Sequence, residues 1–120
     1  MSKTILIADD SPTEMLLIVK TLERGGYQTI SAVDGEEAVE KAKQSHPQIA
    51  IVDIVMPKKN GFQVTRQLKT DGETREIKIL LVSSKNQESD RFWGLKQGAD
   101  EYLAKPFDDK ALLSAVARLL

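Results

Sequence analysis

The chain contains no cysteine, which excludes thiolate catalysis, thiolate-held metals and disulfide staples and fits a reducing, cytoplasmic setting. Its single histidine, His46, precedes Pro47 in a helix-to-strand loop with no second ligand nearby. His46 is therefore expected at the surface rather than in a metal site or a phosphotransfer step. Apolar runs are short. The longest, Met15 to Val19, falls far below the length of a membrane span, and MSKTILIADD reaches carboxylates too early for a secretory signal. Neither sign of charge is in excess, with 17 Lys and Arg against 18 Asp and Glu. No window carries the basic run of a sequence-independent nucleic-acid face. Direct nucleic-acid binding and membrane insertion are not expected.

What the chain does have is alternation. At 120 residues and 41% hydrophobic composition, one domain should bury about 65% of the surface its unfolded form exposes. Thr4 to Ala8, Gln28 to Ala32, Ile49 to Val52, Ile79 to Val82 and Tyr102 to Ala104 are short runs, most of them rich in Ile and Val, that read as strands. Helical spacing separates them: Met15, Ile18, Val19 and Leu22; Ala38, Val39 and Ala42; Val64 and Leu68; a segment from about Gln87 to Gln97; and Leu112, Val116 and Leu119. Gly25-Gly26, Asp34-Gly35, His46-Pro47 and Gly98 punctuate the pattern. Five β-α units with two almost wholly apolar strands predict an α/β fold, a doubly wound parallel sheet covered on both faces. No repeat or linker marks a boundary, so residues 1–120 are expected to be one domain without a separate output domain.

In such a sheet, chemistry collects beyond the carboxyl ends of the strands where the winding reverses. Asp9 and Asp10 end the first strand and Asp53 ends the third. Ser11 with Glu14 three residues on has capping-box spacing, and Pro12 suits the first helical position. The helix start is thus expected not to need the two acids before it. If those two strands are neighbours, the three carboxylates converge and call for raised pKa values or a cation, and a hard divalent ion such as Mg2+ fits an all-oxygen set. Taken alone, an Asp-Asp pair reads first as solvated turn residues, the reading given to Asp108-Asp109. A hydroxyl pair, Ser83-Ser84, and a cation, Lys105 before Pro106 and Phe107, also fall at strand ends. Metal-binding acids, a central carboxylate, a hydroxyl and an ammonium are the parts that phosphoryl transfer uses.

The order Asp-Asp, then Asp53, Met56, Pro57 and Gly61, then Ser83-Ser84, then Tyr102, Lys105, Pro106 and Phe107 resembles the receiver domain of two-component response regulators, the CheY-like group, over essentially the whole chain. The resemblance implies a flavodoxin-like sheet of strand order 2-1-3-4-5. It makes Asp53 the phosphoacceptor, Asp10 a direct Mg2+ ligand, Asp9 a ligand acting through water, and the Val55 backbone carbonyl a further ligand. It makes Ser83 the switch hydroxyl with Ser84 beside it, Lys105 the phosphate-pairing lysine, Tyr102 the aromatic that changes rotamer, and Lys105-Pro106 a cis bond. The implied partners are a CheA-like histidine kinase and an output or motor-associated protein, for a chain expected to be a monomer, with an oligomer left open. ADDSPTEM, DIVMPKKNGFQVTRQL and KNQESDRFWGLKQGADEYL are similar to regulators of type IV pilus twitching motility, the PilH type, and share wording with cyanobacterial phototaxis regulators.

Two positions depart from the family pattern. Val55 is apolar and residue 85 is Lys, where polar or acidic side chains often help to place the hydrolytic water, so the hydrolysis rate is open. A signalling protein is expected rather than a turnover enzyme. A phosphohydrolase with an aspartyl nucleophile would want an acid at Val55, and a mononucleotide binder would want a Ser/Thr/Gly-rich loop where Asp9 and Asp10 stand. A phosphorylation-independent docking module with idle acids is the alternative. Phe92 and Trp93 are adjacent on a helix and cannot both face the sheet. One is expected in the core and the other partly exposed, as a possible output surface. Leu16 and Leu17 fall partly outside the apolar stripe of their helix and are candidates for contact surface.

Overall fold

The computed structural model describes residues 3–84 and 88–120. Lys85, expected beside the site, and Gln87, the expected start of the fourth helix, lie outside the described residues. The elements alternate as the sequence pattern predicts: β1 (Thr4–Ala8), α1 (Pro12–Arg24), β2 (Gln28–Ala32), α2 (Gly35–Ser45), β3 (Ile49–Asp53), α3 (Gly61–Thr70), β4 (Lys78–Ser83), α4 (Glu88–Lys96), β5 (Glu101–Ala104) and α5 (Asp109–Leu119). All strand pairs are parallel, in the order β2-β1-β3-β4-β5.

Successive side chains of a strand point to opposite faces, and the interior follows that rule. Leu6, Ala8, Ala50, Val52, Ile79 and Leu81 meet Ala38, Val39 and Ala42 of α2 and Val64 and Leu68 of α3. Their neighbours Ile5, Ile7, Ile49, Ile51, Leu80 and Val82 meet Ile18 and Leu22 of α1 and Leu112, Ala115 and Val116 of α5. The central strands are apolar throughout because both faces are covered. The winding reverses at β1 and β3, which lie side by side, so the residues that follow them converge.

Helix starts are capped by short polar side chains. Asp34 accepts from the Glu37 N–H, and Asp108 accepts from the Ala111 N–H, both at 2.8 Å. Asp108 and Asp109 are exposed, yet neither is a bare turn residue. Asp108 is the α5 cap, and Asp109 accepts from Thr21 at 2.9 Å and from Arg24 at 2.6 Å, clasping α5 to α1. His46 ends α2 in the left-handed region at φ 47° and is exposed, where its side chain contributes nothing to the core.

The expectation for Phe92 and Trp93 is corrected. Both point outward, at 63% and 51% exposure. The buried residue of α4 is Gly94, where an added Cβ would stand 2.7 Å from Leu81 Cδ1. A helix turns roughly 100° per residue. Once Gly94 faces the sheet, Trp93 is turned sideways and Phe92 lies on the far side, with Lys96 Nζ 5.6 Å from the Phe92 ring centre. Leu16 and Leu17 are exposed on α1, as expected.

Candidate functional site

β1 and β3 pair up to Ala8 and Val52, so the next residues, Asp9 and Asp53, leave the sheet side by side. Gly61 permits this end of β3 to be covered by α3, since a Cβ there would lie 2.6 Å from the Asp53 carbonyl oxygen. Oxygens of Asp9, Asp10 and Asp53 come within 4.8 Å of one another. Asp9 is 1% exposed and Asp53 7%, while Asp10 faces water. The trio offers only hard oxygen donors and has like charges to neutralise, a set that suits Mg2+.

Lys105 supplies the opposing charge. β5 pairs with β4 up to Ala104 and Ser83, and the Lys105 N–H donates to the Ser83 carbonyl at 2.8 Å. From there its ammonium reaches Asp53 Oδ2 at 3.2 Å, Asp9 Oδ2 at 3.3 Å and Glu14 Oε1 at 3.1 Å. The remaining oxygens are held by backbone. Asp9 Oδ1 accepts from the Ser11 N–H at 2.9 Å, and Asp53 Oδ1 accepts from the Val55 N–H at 3.3 Å. The Lys105-Pro106 peptide is cis.

Burial pushes the Asp53 carboxyl above the ordinary carboxylate range, and the nearby Asp9 charge adds to this. The Lys105 charge and hydrogen bond oppose the rise without cancelling it. Lys105 is driven down by burial, but the hydrogen bond to Glu14 and the charges of Asp53 and Asp9 outweigh this and leave it raised. It is a firmly held cation.

Ser83 and Tyr102 are both buried. Burial raises the Tyr102 phenol, Asp90 and Asp53 add to it, and a hydrogen bond with Ser83 works against it. Tyr102 thus lies inward against the Ser83 hydroxyl. Ser84 and Val55 are exposed at the rim. A cavity of about 440 Å³ opens from the acids toward α1 and α5, lined by Glu14, Leu17, Val55, Ser84, Lys105 and Phe107 among others. Phe92 and Trp93 do not line it.

Glu14 is the site residue that sequence reasoning misplaced. Its N–H does donate to Ser11 Oγ, at 3.3 Å, but its carboxylate turns to Lys105. Asp9 takes the Ser11 N–H that a full capping box would give to Glu14. The helix start therefore does use one of the two acids before it. The available signal was Asp9 itself, two residues ahead of Ser11, the spacing of a local turn to backbone.

The response regulator receiver domain model matches residues 5–117. The chain belongs to the response regulator receiver family. This receiver domain is 47% identical to protein PilH of Pseudomonas aeruginosa over 97% of its own length and 96% of that protein. It is 38% identical to the alkaline phosphatase synthesis regulator PhoP of Bacillus subtilis, of which it spans 49%. Among solved structures, the chemotaxis response regulator CheY4 of Vibrio cholerae superposes with a TM-score of 0.94 at 28% identity, covering all of both chains. The receiver domain of the Pseudomonas aeruginosa sensor kinase PA1611, solved with magnesium in its active-site cleft, gives 0.92 at 27% identity, over 99% of this chain and 98% of that one. The receiver is thus CheY-like in fold and PilH-like in sequence. Among the described residues, no helix is long and apolar enough to cross a membrane.

Proposed function

We propose that this receiver accepts a phosphoryl group on Asp53 from the phosphohistidine of a CheA-like histidine kinase and hands the signal on by protein contact, in type IV pilus motility or taxis. The observation that carries this reading is the setting of Asp53: a buried carboxylate at a strand end, beside Asp9, with its outer oxygen against Lys105. The pathway is drawn from the likeness to PilH.

An Asp53 carboxylate oxygen attacks phosphorus, the P–O bond forms as the P–N bond to the donor imidazole breaks, and the imidazole, already carrying a proton on its other ring nitrogen, leaves as the neutral ring. Asp9, Asp10, Asp53 and the Val55 carbonyl would hold Mg2+, which when bound supplies positive charge against the phosphoryl oxygens. Lys105 supplies the same from the other side and keeps the phosphoryl group oriented. Ser83, with Ser84 beside it, offers a hydroxyl to a phosphoryl oxygen. Drawing Ser83 toward Asp53 changes what Tyr102 bonds to, and the chain is biased toward a second conformation. The exposed Phe92 and Trp93 on α4, near Tyr102, form the surface proposed for the output partner.

Incubation with acetyl phosphate and Mg2+ tests the reading. Mass spectrometry should show one added phosphoryl group, released by hydroxylamine, and Asp53→Asn should lack it. Labelling of Asp53→Asn at the normal rate would move the acceptor elsewhere. No labelling of the unaltered chain would leave a docking module with idle acids.

A further inference from the structure

Lys105 makes one close contact that phosphoryl transfer to Asp53 does not use. Lys105 Nζ has three N–H donors and three carboxylate partners, of which Glu14 Oε1 is nearest, at 3.1 Å. A phosphoryl group on Asp53 takes over the Asp53 place on the ammonium and competes there with the charges of Asp9 and Glu14. Asp9 is buried and anchored by the Ser11 N–H. Asp53 carries the phosphoryl group itself. Glu14 sits in the first turn of α1 on a rotatable stem, its side chain 45% exposed, lining the mouth of the cavity. It is the partner that water can receive at least cost. Its negative charge also stands one ammonium away from Asp53, where phosphorylation increases the negative charge.

We propose that Glu14 is a positioning residue that competes with the phosphoryl group for Lys105, holding the ammonium among the acids and limiting how tightly Asp53 keeps a phosphoryl group. The proposal rests on Asp53 being the acceptor. It explains why the chain can spend a capping glutamate away from its cap: Asp9 covers the Ser11 N–H, and Glu14 is left to attend to Lys105.

The consequence has a sign that damage to the fold would not produce. Glu14→Gln keeps the shape and removes the charge. With Mg2+ saturating, it should raise the affinity for beryllofluoride, a phosphoryl mimic, by about two- to fivefold, the range of a half-exposed ion pair. Glu23→Gln, an equal charge change at an exposed position of the same helix, should leave it unchanged. Without metal or phosphodonor, acylation of Lys105 by acetic anhydride, followed by peptide mass spectrometry, should quicken in Glu14→Gln and not in Glu23→Gln. Affinity that stays level or falls in Glu14→Gln, or rises equally in Glu23→Gln, would overturn the competition while leaving Asp53 as acceptor. Unchanged acylation would overturn the contact on which the competition depends. Failure of the unaltered chain to bind beryllofluoride would overturn the acceptor reading and the competition with it.

Discussion

α1 and α3 start at the same end of the sheet, after β1 and β3, and each has a polar cap residue with a long polar side chain three positions on. At α3 the two residues serve each other. Gln63 N–H donates to Asn60 Oδ1 and Asn60 N–H donates to Gln63 Oε1, both at 2.9 Å. At α1 the box is opened: Ser11 still caps Glu14 N–H, but Asp9 takes the Ser11 N–H and Glu14 reaches Lys105. Local chemistry that closes on itself stabilises a helix and does nothing else. Where the same spacing is left half closed, the spare group is pointing at something, and at α1 it points at the acid cluster.

The largest expected effect separates the two ends by function. Asp53→Asn should abolish phosphoryl labelling, whereas Asn60→Ala, one loop away, should leave the labelled fraction unchanged by mass spectrometry. Loss of labelling in Asn60→Ala in a folded chain would show that the α3 box also serves the site.

Metal affinity comes next. Asp10→Asn removes a hard anionic oxygen and should weaken Mg2+ binding by calorimetry at least about tenfold, the lower range for a lost supporting partner, and by more than Asp9→Asn does. Asn60→Ala should not move it. Equal affinity in all three variants would mean that the acids do not hold the ion.

Stability should then differ in sign. Asn60→Ala should cost about 1 kcal/mol in urea unfolding. Burial raises the Asp53 carboxyl. Its contribution is therefore intact below the ordinary carboxylate range and is lost as the pH climbs through the raised value. In metal-free buffer Asp53→Asn should accordingly be more stable than the unaltered chain at neutral pH, with the gain fading on acidification. A loss at neutral pH would show that the Lys105 contact outweighs burial.

The smallest effect concerns the opened box itself. Glu14→Gln should shift unfolding by no more than about 0.5 kcal/mol, within the range of a half-exposed pair, and by less than Asn60→Ala. A larger loss would return Glu14 to the role of a cap.

Much of this contrast was legible from residue order. The strands were readable almost to the residue because short apolar runs end at acids, at Ser83-Ser84 or at Lys105-Pro106. β3 gains only Asp53, β4 one residue at each end, and β5 only Glu101. Each of the three acids could be placed at a strand end because that is where polar residues interrupt apolar runs, but their meeting depends on which strands are neighbours. The strand order itself came from family likeness, since periodicity does not say which strands are neighbours. Glu14 was misread because a glutamate at the third helical position has two acceptable partners, and the winning one, Lys105, is brought near by the fold alone. Phe92 and Trp93 were misread because hydrophobicity was taken as the inward signal. The contact that sets the rotation of α4 belongs to Gly94, which has no side chain to announce it.

That glycine contact has a further consequence for how the domain opens. α1, α2, α3 and α5 each bury branched aliphatic side chains against the sheet, whereas α4 offers the sheet a hydrogen atom at its closest approach. α4 therefore withdraws little apolar side chain of its own when it detaches alone, and its local unfolding should cost less than that of the other helices. Amide protons of α4 should exchange with solvent deuterium through a subglobal event, while those of β1 and β3 wait for the entire domain to unfold. If α4 exchanges in this way, a partner that grips Phe92 and Trp93 would be read out as slowed exchange there before any other element responds.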